Sequence, residues 1–373
     1  MTTTFKPQRG LAAIKPYTPG KPIEEVQREY GLTDVIKLAS NENPLGPSPK
    51  VVAALHEALT GLNFYPDAQA YVLTRGIATR HGVAPDMVRV GNGADGLIRE
   101  LCVSYLNDDD EVLTSTASFP VYDISTAVMR ARMVKTPLKG LRFDLDAIAA
   151  AITDRTKLIF LCNPNNPTGN IVTADEVAEF MPRVPDRVIV VFDEAYCEFV
   201  DSPDYPDSLA YVKSGRYPNV IVLRTFSKAY GIAGIRLGYG IAQPELLLPL
   251  RSTTESFPVN RLAQVAGLAA LEDDEFMALT IAVNAAGRAY LYREFDRLGL
   301  DYVPSHTNFV LLHLGPSAPQ VFQKLLERGI IVRPCVAYEL PEYLRITVGT
   351  EAQNARFIAA LEEVLGLRAT ADG

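Results

Sequence analysis

The sequence predicts an α/β fold in which a large domain with a mostly parallel central sheet flanked by helices is followed by a smaller α+β domain. Three observations lead there. From about residue 50 onward, helical patterns alternate with short runs rich in Val, Ile and Leu, the mark of strands joined by crossover helices. Runs such as Val188-Ile189-Val190-Val191-Phe192 are apolar throughout, as expected of parallel strands covered on both faces. After Phe257 the pattern changes to a long alanine-rich helical stretch and then to separated strands. The 373 residues are enough for two or three domains, at roughly 100 to 200 residues each.

Proline-bearing segments at 13–22 and 43–49 read as an arm crossing a surface, because proline and its neighbours interrupt regular structure. Residues 1–40 are therefore expected to form an arm and part of the small domain, 41–256 the large domain, and 257–373 the small one. A helical pattern at 50–59 opens the large domain, and another lies at 174–180. Strand candidates follow at 87–90, 111–114, 157–162, 188–192, 220–224 and 237–241. In the C-terminal part, a helical region at 261–298 leads to strands at 307–312, 330–333 and 344–348 and a closing helix at 351–365. Short acidic clusters at 108–111 and 272–275 read as solvated turns or caps.

Composition narrows the function. Lys plus Arg total 36 against 44 Asp plus Glu, a net charge of −8, which argues against nucleic acid as a partner. The four cysteines (Cys102, Cys162, Cys197, Cys335) are far apart without a CxxC pair, so neither a disulfide framework nor a zinc site is expected. No apolar run approaches the roughly 18 residues of a membrane span, and no apolar stretch follows Lys6 and Arg9. The expectation is a soluble cytoplasmic protein without membrane contact. His56-Glu57 lacks a second histidine at zincin spacing, and His81, His306 and His313 form no ligand cluster, so no metal is expected. Neither a GxSxG elbow nor a Walker A sequence is present.

In an open parallel sheet, ligands bind beyond the carboxyl ends of the strands, and four of these ends carry chemistry. After Val88-Arg89-Val90 comes Gly91-Asn92-Gly93-Ala94-Asp95-Gly96. This fits a dinucleotide site, a more general phosphate cradle at a helix N-terminus, or a plain tight turn. Strand 157–162 runs into Asn163-Pro164-Asn165-Asn166-Pro167-Thr168-Gly169. These are turn-forming residues, among which the Asn166 amide is suited to donate to a ligand oxygen. Strand 188–192 ends in Asp193-Glu194-Ala195-Tyr196, where Asp193 is either a helix cap or a buried anion facing the ligand. Strand 220–224 delivers Thr225-Phe226-Ser227-Lys228 and then Arg236. The hydroxyls and the guanidinium are phosphate-binding groups, and a cation beside Lys228 lowers its pKa toward that of a usable nucleophile. Pyridoxal phosphate requires this combination: a lysine for a Schiff base, an acid for its ring nitrogen, donors for its phenolic oxygen, and a helix end plus arginine for its phosphate. A nicotinamide dinucleotide requires neither the lysine nor the acid.

At 225–236 the sequence resembles the lysine signature of class II, fold type I pyridoxal-phosphate aminotransferases, and most closely the histidinol-phosphate aminotransferase family. Motifs of that family run in order along nearly the whole chain. They include Lys15-Pro16-Tyr17, Lys37-Leu38-Ala39-Ser40-Asn41-Glu42-Asn43-Pro44, Asn63-Phe64-Tyr65-Pro66-Asp67 and Leu344-Arg345-Ile346-Thr347-Val348-Gly349. The resemblance implies Lys228 as the Schiff-base lysine, Asp193 at the pyridine nitrogen, Asn166 and Tyr196 near the phenolic oxygen, and Phe119 stacked on the ring. It implies that the amides of Ala94 and Asp95, the hydroxyls of Thr225 and Ser227, and Arg236 hold the phosphate. It further implies that Tyr65 reaches the partner subunit's cofactor phosphate, hence a homodimer, that Arg333 and Arg345 bind the anionic end of the substrate, and that Tyr17 is a further substrate contact. The implied reaction moves an amino group between L-histidinol phosphate and 2-oxoglutarate, in histidine biosynthesis. Aromatic amino acid aminotransferases and threonine-phosphate decarboxylases share much of the pattern. A dinucleotide-dependent dehydrogenase, resting on 91–96, leaves Lys228 and Asp193 without roles.

Overall fold

The computed structural model of the chain describes residues 5, 8–11, 14 and 20–367. Among them the strands are β1 (Ile36–Leu38), β2 (Val88–Gly91), β3 (Glu111–Ser115), β4 (Arg132–Thr136), β5 (Thr156–Cys162), β6 (Ile189–Asp193), β7 (Val220–Thr225), β8 (Gly238–Ala242), β9 (Tyr302–Val303), β10 (Phe309–His313), β11 (Ile330–Pro334) and β12 (Tyr343–Thr347). A seven-stranded sheet has the order β2-β8-β7-β6-β5-β3-β4, and a five-stranded sheet the order β1-β11-β12-β10-β9. In the larger sheet β4, β3, β5, β6 and β7 run parallel, while β8 is antiparallel to both β7 and β2. The large sheet is thus mostly parallel, as its apolar runs predict.

Every strand expected from the sequence is present, displaced by at most a residue or two. Three others were not expected. β4 interleaves charged and apolar side chains because it is the edge of its sheet, with Arg132 and Lys135 exposed. β1 and β9 are three and two residues long, too short for a periodic signal. The helical region at 261–298 is two helices, Arg261–Leu271 and Asp274–Leu298, separated where Asp273 accepts from the Phe276 amide. The acidic cluster at 272–275 is therefore a cap. In the other cluster, Glu111 is buried rather than solvated, and it pairs with Arg155 at 2.7 Å and accepts from Thr153.

Two apolar cores follow the two sheets. The larger extends past the boundary expected at 256, since Ala263, Ala266, Ala270 and Leu271 belong to it and the helix Arg261–Leu271 packs on Pro49–Ala58 and Tyr71–His81. The smaller joins Ile36 and Leu38 of β1 to Leu291 and Phe295, Val310, Leu312, Phe357 and Leu361. The change from one core to the other therefore falls inside the 25-residue helix Asp274–Leu298. A single unbroken helix ties the two layers together, and an alanine-rich stretch gives no sequence mark of that change. None of the helices among the described residues is long and apolar enough to cross a membrane.

The strongest packing test lies beneath the carboxyl ends of the central strands. Phe160 on β5 is completely buried and stacks on Tyr122 with centroids 4.4 Å apart and planes 6° from parallel. Truncating such a side chain costs about 3–5 kcal/mol, from lost transfer energy plus the cavity left behind. Phe160→Ala should lower the urea midpoint at an unchanged slope; a loss below about 1 kcal/mol would contradict this packing.

Candidate active site

The carboxyl ends of β5, β6 and β7 and the start of the helix Gly93–Tyr105 open onto one cavity of about 450 Å³, within the range of cofactor sites. It brings together Ala94, Asp95, Phe119, Asn166, Asp193, Tyr196, Thr225, Ser227, Lys228, Arg236 and Arg345. Three expected site residues are not gathered there. Arg333 is the direct cross-strand partner of Arg345 but is not among the residues that line the cavity, and its guanidinium lies 5.9 Å from the Tyr338 ring. Tyr65 is 80% exposed and stacks on Phe257. Tyr17 lies outside the described residues.

One end of the cavity suits an anion. Gly93 has φ 73°, and a Cβ there would stand 2.7 Å from Nη2 of Arg236; a Cβ on Gly238 would stand 2.4 Å from the Ala94 nitrogen. Glycine at these two positions lets the helix start, the guanidinium and the β7–β8 turn converge. Arg236 donates to Ser227 Oγ at 3.4 Å and to Asp95 Oδ2 at 3.2 Å, while Thr225 Oγ1 accepts the Ser227 amide. Backbone amides at a helix N-terminus beside a guanidinium form a phosphate site. The dinucleotide alternative loses its context here. Its glycine turn belongs to the first strand of a parallel βαβ unit, whereas β2 is an edge strand antiparallel to β8.

At the centre, Asp193 is 2% exposed. Burial raises its carboxyl to about 6, opposed by the hydrogen bond that Tyr122 donates to Oδ2 at 2.6 Å and reinforced by the charge of Asp95. Asp193 Oδ1 is buried without a hydrogen-bond partner, so a ring N–H arriving from the cavity would meet an acceptor in need of a donor. Asp193 is thus the buried anion, not a helix cap. The helix end, the guanidinium and this lone acceptor together fit pyridoxal phosphate.

Lys228 Nζ donates to the Ser40 carbonyl at 3.1 Å and lies 5.7 Å from the Tyr196 ring. Burial and, next, the charge of Arg345 lower its pKa to about 8. Arg345 is itself buried. Nη1 donates to Asn166 Oδ1 and, at 3.2 Å, to the Tyr338 hydroxyl; Nη2 donates to the Ala39 carbonyl at 2.7 Å. Asn166 therefore has its amide nitrogen left for a cavity ligand. Tyr196 accepts from Asn41 at 2.8 Å, and burial pushes its phenol upward.

Sequence reasoning missed Tyr122, Tyr338, Ser40 and Asn41. Tyr122 follows Phe119 by three residues, the spacing that puts both on one face of a helical turn, and their rings meet edge-on at 5.6 Å. Asn41 and Ser40 belong to a polar stretch before Pro44 whose partners lie hundreds of residues away, which no local pattern reveals.

The Lys228 environment has a measurable pH signature. Only the neutral amine attacks an electrophile, and a lowered pKa means that this form appears at lower pH than in an ordinary lysine, whose midpoint is about 10.4. In cofactor-free protein, trace labelling with acetic anhydride should reach half its plateau at Lys228 near pH 8. Arg345→Gln removes a positive charge and should move that midpoint upward. A midpoint above about 10 in the unaltered protein would refute this electrostatic picture.

The profile of the family described as aminotransferase class I and II matches residues 33–361. The histidinol-phosphate aminotransferase of Moorella thermoacetica is 48% identical over 365 residues, covering 98% of this chain and 94% of that one. That of Symbiobacterium thermophilum is 48% identical over 353 residues, covering 95% and 97%. Among solved structures, histidinol-phosphate aminotransferase from Sinorhizobium meliloti in complex with pyridoxal-5'-phosphate superposes with a TM-score of 0.87 at 30% identity, over 96% of this chain and all of that one. The architecture is the fold type I arrangement that the sequence predicts. With the profile spanning most of its length and such relatives nearly end to end, the chain belongs to the class I and II aminotransferase family.

Proposed function

We propose that the protein is a pyridoxal-phosphate-dependent histidinol-phosphate aminotransferase, exchanging an amino group between L-histidinol phosphate and 2-oxoglutarate to give imidazole-acetol phosphate and glutamate. The observation that carries this reading is one cavity in which a lysine of lowered pKa, a buried carboxylate with a free acceptor, a phosphate cradle and a buried arginine face one another. The named relatives supply the substrate.

Pyridoxal phosphate, when bound, supplies an aldehyde that takes up amino groups and a ring that accepts electrons as the substrate's C–H bond breaks. The amides of Ala94 and Asp95, the hydroxyls of Thr225 and Ser227, and Arg236 would hold its phosphate. Asp193 would accept from the ring nitrogen, and the hydrogen bond from Tyr122 opposes the upward push of burial on that carboxyl. Asn166 and Tyr196 would donate to the phenolic oxygen, and Phe119 would cover the ring. Lys228 is the amine that would hold the cofactor's aldehyde. Once free, its nitrogen would be the base that takes the proton from the substrate carbon, and burial and the charge of Arg345 favour the neutral, proton-accepting form of that amine. Arg345 pairs with the substrate anion, and Arg333 supports it from the neighbouring strand position. Histidinol phosphate presents a phosphate where glutamate presents a carboxylate, and a guanidinium fork pairs with either.

We further read the protein as a homodimer. Leu62, Phe64, Tyr65, Tyr71 and Val72 are exposed, with Phe257 stacked on Tyr65. Large apolar side chains exposed along one short stretch of chain suit an interface with a second copy, in which Tyr65 would reach the partner subunit's phosphate cradle. Four widely spaced cysteines without disulfides fit a reducing, cytoplasmic setting.

Lys228→Ala should abolish both turnover and the borohydride-trappable link to pyridoxal phosphate; trapping at a different lysine would overturn the assignment. Asp193→Asn should slow proton removal by ~10² or more while leaving substrate capture intact. For the substrate, kcat/KM is measured for unaltered protein and Arg345→Ala with histidinol phosphate and histidinol. Loss of Arg345 should cost roughly 2–5 kcal/mol with the phosphorylated substrate and much less without it. Equal penalties would remove Arg345 from phosphate recognition. A preference for phenylalanine over histidinol phosphate would give the protein to the aromatic aminotransferases.

A further inference from the structure

We propose that Asn41, held in place by Thr347, is a positioning residue that fixes the direction of the Tyr196 hydroxyl hydrogen, so that Tyr196 can only donate into the cavity. This rests on the reading of Tyr196 as a contact of the cofactor's phenolic oxygen. It adds the element that makes Tyr196 a donor there.

Asn41 lies where the chain passes from β1 to the large sheet. It is 1% exposed, with φ 57°, a left-handed conformation that asparagine tolerates better than most residues. All of its polar groups are engaged. Its backbone N–H donates to Thr347 Oγ1 at 3.0 Å, and its carbonyl accepts from Asn308 Nδ2 at 3.0 Å. Its side-chain Oδ1 and Thr347 Oγ1 are also 3.0 Å apart, and its Nδ2 lies 2.8 Å from the Tyr196 oxygen.

The orientation of the amide follows from counting hydrogens. A backbone N–H can only donate, so Thr347 Oγ1 accepts from it, and the single Thr347 hydrogen is left for Asn41 Oδ1. Turning the amide round would set NH₂ against Thr347 and leave that hydroxyl hydrogen buried without an acceptor, at a cost of about 1–3 kcal/mol. Nδ2 therefore faces Tyr196. Because an amide nitrogen only donates, the Tyr196 oxygen must accept, and its own hydrogen must point elsewhere. Phe309 meets the ring edge-on at 5.2 Å, and Lys228 Nζ lies 5.7 Å from its centre. The charged groups nearest Tyr196 are Arg345, a cation that accepts no hydrogen bond, and Lys228, whose Nζ donates to the Ser40 carbonyl; its other polar neighbours are the Cys162 thiol, which burial pushes upward, and the Tyr338 hydroxyl, which accepts from Arg345. No other described residue takes the Tyr196 hydrogen, and the hydroxyl borders the cavity. Thr347 stands two residues beyond Arg345 on β12, hence on the same strand face. The strand that presents the anion-binding guanidinium thus also sets the polarity of Tyr196.

The test uses cofactor-loaded protein and reads the pH midpoint of its visible absorption change, which a donor to the phenolic oxygen lowers. Tyr196→Phe should raise the midpoint by about 1 unit. Thr347→Val, which frees the amide to turn, should raise it by more than half of that shift, and Thr347→Ser should leave it in place. In a Tyr196→Phe background Thr347→Val should add nothing. If Tyr196→Phe shifts the midpoint and Thr347→Val does not, or if the Thr347→Val shift persists without the tyrosine hydroxyl, the relay is wrong. If Tyr196→Phe itself has no effect, the cofactor role of Tyr196 falls, and the relay falls with it. Should Thr347→Val not fold, Asn41→Asp reverses the same bond, and the part of its shift that vanishes in the Tyr196→Phe background is the relay; an undiminished shift overturns it.

Discussion

A carboxylate kept from water at the end of a central strand is the constraint around which this molecule is arranged. Moving such a group out of water is costly unless hydrogen bonds replace hydration, and Asp193 receives a short one from a tyrosine that is itself fully buried. Tyr122 can make that bond only because Phe160 holds its ring flat against β5 and Phe119 meets its edge. Next to Asp193, Glu194 takes both Nε and Nη2 of Arg224, at 3.0 and 2.8 Å. Arg224 immediately precedes the Thr225-to-Lys228 turn, so this paired charge ties the strand end bearing the acid to the one bearing the lysine. Breaking one member of such a buried pair is strongly destabilising, which gives Asp193 and Lys228 a rigid common base.

The second sheet completes the cavity. Arg345 reaches across to Asn166 and to the Ala39 carbonyl. The loop that carries Asn166 is fastened further along, where the His306 amide donates to the Gly169 carbonyl at 2.8 Å and a Cβ on Gly169 would collide with Ser305. Arg288 and His306 both contact Asp201. Arg345, Asn166 and the loop that runs on to Gly169 are therefore parts of one polar network shared by the two sheets.

Much of this was legible in the chain. Continuous apolar runs marked the parallel strands because burial on both faces leaves no place for polar alternation, and the reactive residues stood at the ends of those runs, where an open sheet binds ligands. The match of Lys228, Asp193 and Arg236 to a single cofactor depended on chemistry that local sequence displays. What sequence hid was long-range or edge structure. β4 looked polar because one side meets solvent, the helix Asp274–Leu298 changed cores without a change in composition, and Arg345 and Arg333, read as equivalent, differ in that only Arg345 lines the cavity. The Asn41–Tyr196 contact links residues with no common pattern, and only the folded chain brings them together.

The pairing of β1 with β11 has a consequence for how the protein is made. Ile36 aligns with Ile330, and Leu38 with Val332, so β1 has no neighbour until the long stretch of chain between it and β11 has been synthesised. At the usual ribosomal pace of roughly 5–20 residues per second, that wait is on the order of tens of seconds. The parallel sheet is encoded between the two halves of this pairing and can collapse first. The segment from Ala39 to Asn43, which touches Arg345, Lys228 and Tyr196, is anchored only afterwards. Competence for the cofactor is thus a late event on the assembly path, and a nascent chain truncated before β11 would carry the lysine and the acid without the strap that positions them.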